Sequence, residues 1–228
     1  MGEVLPLTGP TRGEAPQGLP WERHRSLSGW WQTVWLIVLH PRTAAHAMAR
    51  SGSLAHAVGF ATISFVAHAV TLTLLLLLIA WRHAVEIEAL FGADNPVASA
   101  VAGRVGEAIV VTWLLGPCAV CASVLLSAAL MRAFDASQPL RQHIRAHSYA
   151  CGVFGPATVP LVGLPSYFML PVFLYHWLGV RTLLSPAQRG FVVATAVVSG
   201  WLIAGAIADA IVGALGPIAF ELVSSLVG

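Results

Sequence analysis

The chain has no lysine: all 12 of its basic residues are arginine. Charge of either sign is scarce, at 10% of 228 residues, against about 25% in a soluble domain. The arginine-only pattern is most simply codon bias in a GC-rich genome. A formal charge of +2 with no basic run excludes a nucleic-acid footprint. Only three cysteines occur, Cys118, Cys121 and Cys151, all within apolar stretches, so no secreted disulfide framework is present. Residues 1–28 contain no apolar core of a cleavable signal peptide. Pro6 stands where a myristoylation signal after Gly2 needs Ser or Thr. No nucleophile elbow and no strand-borne glycine loop for phosphate appears.

What the chain has instead is apolar surface. Hydrophobic residues make up 57% of it, and its mean hydropathy is +0.77. One water-soluble core of this size could not hide so much, whereas a bilayer removes the need to. The expected fold is all-α: a polytopic membrane helical bundle of about five transmembrane helices, preceded by an amphipathic interfacial helix.

Residues 1–27 are polar and rich in Pro and Gly, and read as a disordered cytoplasmic tail. The segment 28–50 holds Trp30, Trp31 and Trp35 in an apolar run too short to span, closed by Pro41 and flanked by Arg23, Arg25, Arg42 and Arg50. Trp favours headgroup depth and Arg favours anionic lipid, so this is expected to lie in the interface. A helix packed on the cytoplasmic side of the bundle is the plainer alternative.

The transmembrane domain is expected over 51–228, with spans at about 54–81, 106–131, 142–162, 165–184 and 190–215. Between the first two, Arg82 to Arg104 reads as a polar loop with Glu86, Glu88 and Asp94. The 35 residues from Ala146 to Val180 carry no Asp, Glu, Lys or Arg, too long a stretch for one span. Gly163-Leu164-Pro165 reads as the turn of a hairpin within it. Two crossings need about 40 residues, so Arg145 and Arg181 are expected to snorkel from its ends. This division puts ten Arg on one side (12, 23, 25, 42, 50, 132, 141, 145, 181, 189) and Arg82 and Arg104 on the other. The bias places the N-terminus in the cytoplasm and Gly228 outside it.

Candidate chemistry is thin. Cys118-Ala-Val-Cys121 has CxxC spacing but sits beside Pro117 in a hydrocarbon-embedded helix, where small cysteines serve as packing residues. His143 and His147 share a helix face at a spacing that can bind zinc, with His176 as a conceivable third ligand. The Glu of an HExxH motif is missing, and interhelical hydrogen bonds are the simpler role. Asp209 is an intramembrane acid, a functional candidate by default, but it stands toward the outer end of its span, as does Glu107. No catalytic, cofactor-binding or metal residue is assigned, and the chain is expected not to be an enzyme. Gly200, Ala204 and Ala208 form one small-residue face of the last span, and Gly205, Asp209 and Gly213 another.

The order of parts resembles bacterial Yip1-family membrane proteins over roughly residues 20–215. The opening carries Pro20-Trp21-Glu22, Trp30 to Leu39, His40-Pro41, Met48, Gly52 and Phe60. The second half carries Ser148-Tyr149-Ala150, Pro156, Val159-Pro160, Gly163, Tyr175-His176-Trp177-Leu178-Gly179-Val180 and Ser185 to Arg189. The resemblance implies a five-span bundle with a cytoplasmic N-terminus and, from eukaryotic members, work in trafficking and membrane shaping. The DLYGP motif of those members is absent, so small-GTPase binding is not implied. The expected partners are the lipid bilayer and other membrane proteins or a second copy, with no nucleic acid. The rival expectation is a small transporter built around the Pro-broken spans three and four, with a polar cavity near His147, Tyr149, Tyr175 and His176.

Overall fold

A computed structural model describes residues 18–48, 52–91, 96–134, 136, 138–158 and 160–227. Eight α-helices and two 3-10 turns account for nearly all of them, and no strand occurs among the described residues. Three helices are long and apolar enough to cross a membrane, over Leu54–His83, Arg104–Ala133 and Pro186–Ile211. The protein is therefore a helical membrane protein.

The helices are α1 (Pro20–Arg23), α2 (Leu27–Leu39), α3 (Pro41–Ala47), α4 (Leu54–Phe91), α5 (Pro96–Ala133), α6 (Leu140–Ala150), α7 (Pro160–Arg181) and α8 (Pro186–Val227). Five of them, α1, α3, α5, α7 and α8, open on a proline. The first helical position needs no N–H and suits the fixed φ of proline. Much of the chain's proline therefore starts helices rather than breaking them.

The long helices α4, α5 and α8 form the frame. The α5–α8 pair is the most extensive, and small residues let it close. Ala196, Ala204 and Ala208 are buried, and a Cβ on Gly200 would lie 2.2 Å from Ser123 Oγ and 2.9 Å from the Ala119 carbonyl. Ser123 Oγ donates to the Ala196 carbonyl at 3.0 Å. The face holding Gly200, Ala204 and Ala208 is thus the packed one. Gly205 and Gly213 have open space, and Asp209 is exposed.

Three sequence expectations change. The stretch from Arg82 to Arg104 is not a polar loop: α4 runs on to Phe91 and α5 begins at Pro96. Ion pairs one turn apart, Arg82–Glu86 at 3.1 Å and Arg104–Glu107 at 3.0 Å, suit these charges to exposed helix. The turn expected at Gly163-Leu164-Pro165 lies inside α7. Pro160 opens that helix, and Pro165 falls close enough to its start that one lost hydrogen bond is tolerated. The chain breaks earlier, in 3-10 turns at Cys151–Phe154 and Pro156–Thr158. Finally, the polar tail expected to residue 27 is ordered from Gly18, whose N–H donates to the Ala47 carbonyl at 2.9 Å. Residues 1–17 lie outside the described residues.

The frame has two ends. The near end holds α1–α3, the start of α4, the end of α5, the start of α6, the end of α7 and the start of α8. Arg141 Nη2 donates to the Gly52 carbonyl at 3.1 Å, Gln138 Nε2 to the Arg181 carbonyl at 3.3 Å, and Arg181 Nη2 to the Met48 carbonyl at 2.5 Å. These bonds tie the start of α6 and the end of α7 to the same place, so α6–α7 is a hairpin that enters and leaves at the near end.

Candidate functional site

The N-terminal helices are packed into the bundle by one face. Ser26 caps α2, accepting from the Gly29 N–H at 3.1 Å. From there Gly29, Trp30, Thr33, Val34 and Ile37 fall on one helical stripe and are buried. Trp30 Nε1 donates to Ser64 Oγ of α4 at 2.9 Å. Thr33 Oγ1 accepts from the Trp21 N–H at 2.9 Å, and Trp21 Nε1 donates to the His56 carbonyl at 2.7 Å. The buried indole N–H groups of Trp21 and Trp30 have each found the partner that burial demands.

The opposite stripe faces outward. Leu27 is 77% exposed, Trp31 44% and Leu39 60%, with Trp35 partly exposed and edge-on to Trp31 at 5.3 Å. Arg23, Arg25 and Arg42 are exposed beside them. The three tryptophans are therefore not equivalent: Trp30 belongs to the core, while Trp31 and Trp35 look away from it.

Beneath α1 lies an ion pair. Arg145 of α6, with no exposed side-chain surface, donates through Nη2 to Glu22 Oε1 at 2.5 Å. Its Nη1 donates to Gln142 Oε1 at 3.2 Å. A Cβ on Gly52 would lie 2.0 Å from Arg145 Nη2 and 2.6 Å from Glu22 Oε1, so only glycine fits against the pair. Arg145 does not snorkel: a carboxylate from the N-terminal segment meets it inside the protein, which avoids stranding a charge. Sequence reasoning missed this pair. Its only signal was an isolated acid beside Trp21 and an isolated Arg at the edge of a charge-free stretch.

A seam of buried polar side chains continues along α6. Ser127 Oγ and His143 Nδ1 lie 3.0 Å apart, and His147 Nδ1 donates to the His143 carbonyl at 2.8 Å. Trp177 of α7 meets the His143 ring edge-on at 5.3 Å. These imidazoles join helices α5, α6 and α7. His176, also on α7, has Arg42, His46 and Arg189 among its neighbours. No group of three His, Cys, Asp or Glu able to hold a metal occurs among the described residues. Cys118, Cys121 and Cys151 are free thiols. Deeper, His68 Nε2 and the Tyr167 hydroxyl lie 2.9 Å apart, with His68 stacked on Phe154 at 5.5 Å.

Tyr149 is fully buried, and the space at His147 shrinks to a cavity of about 10 Å³ bounded by Ser123, His147 and Trp201. That is room for about one water. A larger space of about 360 Å³ adjoins it between α7 and α8, bounded by Tyr167, Leu170, Val197 and Trp201.

Residues separated in sequence converge here. Trp21 packs on Phe60 at 6.2 Å and Phe60 on Tyr149 at 5.3 Å, while Gly52 closes over Glu22 and Arg145. A second cluster joins α7 to α8: Arg189 lies over the Tyr175 ring at 4.9 Å, and a Cβ on Gly179 would be 2.0 Å from Arg189 Nη1. In comparisons with known protein families, curated proteins and solved structures, the chain matches none.

Proposed function

We propose that this is a non-enzymatic, Yip1-type multi-pass protein that organises the membrane or other membrane proteins around it. The observation that carries the reading is the two-faced α2. Trp30, Val34 and Ile37 anchor it to the bundle, while Leu27, Trp31, Trp35 and Leu39 form an outward apolar edge flanked by exposed arginines. A helix held rigidly at that position acts as a wedge at headgroup depth and as a docking edge for partner helices.

Several of the residues that carry the Yip1 resemblance meet in space. Trp21, Glu22, Gly52, Phe60 and Tyr149 form one cluster, and Tyr175, Gly179 and Arg189 another. In this reading the protein has five spans, with α6 and the 3-10 turns as the third and α7 as the fourth. It resides in a bacterial inner membrane with the near end cytoplasmic and the C-terminus outside. The charge pattern supports that orientation. Arg23, Arg25, Arg42, Arg132 and Arg141 are exposed at the near end, whereas Arg82 and Arg104 at the far end are each paired with a glutamate.

The test is reconstitution of the full chain into anionic liposomes, alongside quantitative copurification from native membranes. The expected result is a change in vesicle shape or a stoichiometric membrane-protein partner, lost when Leu27, Trp31 and Leu39 are replaced by Ser. A protein that leaves vesicles unchanged and purifies without a partner refutes the reading, as does a triple variant that behaves like the parent.

A further inference from the structure

An apolar groove of about 570 Å³ opens between α4, α5 and α6. Its walls are Val58 and Phe65 of α4, Pro117 and Leu125 of α5, and Ile144 of α6, with Phe154 at its base. The volume falls within the range of about 300–1,000 Å³ typical of small-molecule sites. The lining is almost wholly hydrocarbon, which suits an acyl chain and nothing polar. Three features give the groove a direction and a length.

The first is depth. On α5 the groove runs from Leu125 to Gly116, nine residues or about 14 Å at about 1.5 Å per residue. The hydrocarbon of one leaflet is about 15 Å deep, half of a core of about 30 Å. The groove therefore starts toward the near end and stops near mid-membrane. Its floor there is tight: a Cβ on Gly116 would lie 2.4 Å from the Phe65 ring.

The second is charge at the mouth. Ile144 and Ser148 line the groove on α6, and Arg141 stands on the same stripe, one turn nearer the end. Pro117, Cys121 and Leu125 line it on α5, and Arg132 continues that stripe two turns on. Both arginines are exposed, and Arg141 is steadied by the Gly52 carbonyl. The third is that neighbouring described carboxylates are spoken for: Glu22 is buried on Arg145, and Glu86 and Glu107 lie at the far end.

We propose that this groove is a specific phospholipid site. One acyl chain of a near-end-leaflet lipid lies between α4, α5 and α6, and its anionic headgroup rests on Arg141 and Arg132. The assignment goes beyond the organising role above and holds whichever way the protein faces.

The experiment uses the full chain in nanodiscs of phosphatidylcholine with a minor fraction of phosphatidylglycerol carrying a mid-chain diazirine. After photolysis, labelled peptides are mapped by mass spectrometry. Labelling is expected to concentrate on the groove walls around Cys121 and Ser148, above the lipid-facing surface of α4 at Leu74 and Leu77. Replacing Cys121 with Trp should fill the groove and abolish the excess. The Arg132→Gln and Arg141→Gln variants should each lower it about fivefold for phosphatidylglycerol, the effect of about one surface charge on anionic lipid. The same diazirine on phosphatidylcholine should be insensitive to both. Gly205→Ala, in open space on α8, serves as the folding control. Uniform labelling over all lipid-facing helices overturns the site. Groove labelling that persists in the Cys121→Trp variant does so too, and equal labelling by both lipids overturns the headgroup assignment.

Discussion

Removing the charge of Glu22 is the sharpest perturbation of this architecture. In the Glu22→Gln variant the side chain keeps its size and an acceptor oxygen, but Arg145 is left as a cation with no exposed side-chain surface. Stranding one partner of a buried pair costs about 3–5 kcal/mol, and the retained acceptor puts this variant near about 3. Against a total stability of about 5–15 kcal/mol that is a large loss. For a chain of this length it corresponds to a fall of about 6–12 °C in Tm, at about 2–4 °C per kcal/mol. The assay is thermal unfolding in mild detergent followed by tryptophan fluorescence. Amide exchange at Trp21, whose N–H is bound to Thr33 Oγ1, serves as a local readout. The double variant Glu22→Gln with Arg145→Met removes the stranded charge and should recover at least half of the loss. A single-variant effect within about 0.5 kcal/mol, or a double variant equal to the sum of the singles, refutes the claim that the pair is coupled and buried.

Other predictions follow from the same contacts. Trp30→Ala should destabilise by about 3–5 kcal/mol because it empties a core position, whereas Trp31→Ala should stay within about 0.5 kcal/mol while weakening adsorption of vesicles to the near end. Gly200→Val should destabilise by about 1–3 kcal/mol in the same unfolding assay, since Ser123 stands where its side chain must go; Gly205→Ala should be silent. Tyr167→Phe should cost about 1 kcal/mol through loss of the His68 hydrogen bond, read in the same melts.

Much of this fold is written in local pattern, and the exceptions share a cause. Hydropathy alone marks α4, α5 and α8, because a continuous apolar run needs no knowledge of its neighbours. The small-residue faces of α8 are also readable, but Gly200, Ala204 and Ala208 repeat at the same helical period as Gly205, Asp209 and Gly213, and only the neighbour α5 decides which is packed. The Glu22–Arg145 pair is not, because its members stand 123 residues apart and neither lies in a periodic pattern. Trp30 and Trp31 differ by one residue and by 100° around a helix, and both stripes of α2 carry Trp and aliphatic side chains, so composition alone does not tell its core face from its outer one. Gly163-Leu164-Pro165 has the composition of a turn, but proline is also the residue that starts a helix, and Pro160 sets the register. The groove escaped notice because its lining comes from three helices and contains no residue type that signals a ligand.

The α6–α7 hairpin decides whether the chain crosses the membrane five times or three. The 11 residues of α6 at about 1.5 Å and the seven residues of the 3-10 turns at about 2.0 Å give a reach of about 30 Å, just the thickness of the hydrocarbon. Yet Phe154 packs against Phe65 and His68, which stand only 11 and 14 residues into α4, or about 17–21 Å from its start. Only the last few residues before α7 can carry the turn to the far surface. A single cysteine at Ala157, in a background with Cys118, Cys121 and Cys151 changed to Ala, discriminates the two. With five spans, a membrane-impermeant maleimide applied from the far side labels it as fast as a cysteine at exposed Gly106; a re-entrant hairpin leaves it unlabelled. Failure to label removes two crossings without moving either terminus. The hairpin begins and ends at the near end, so α8 starts there in both cases. A cytoplasmic near end, as proposed above, predicts active alkaline phosphatase fused at Gly228 and inactive fused after Arg141, for three spans or five. Only the reverse pattern overturns the orientation itself.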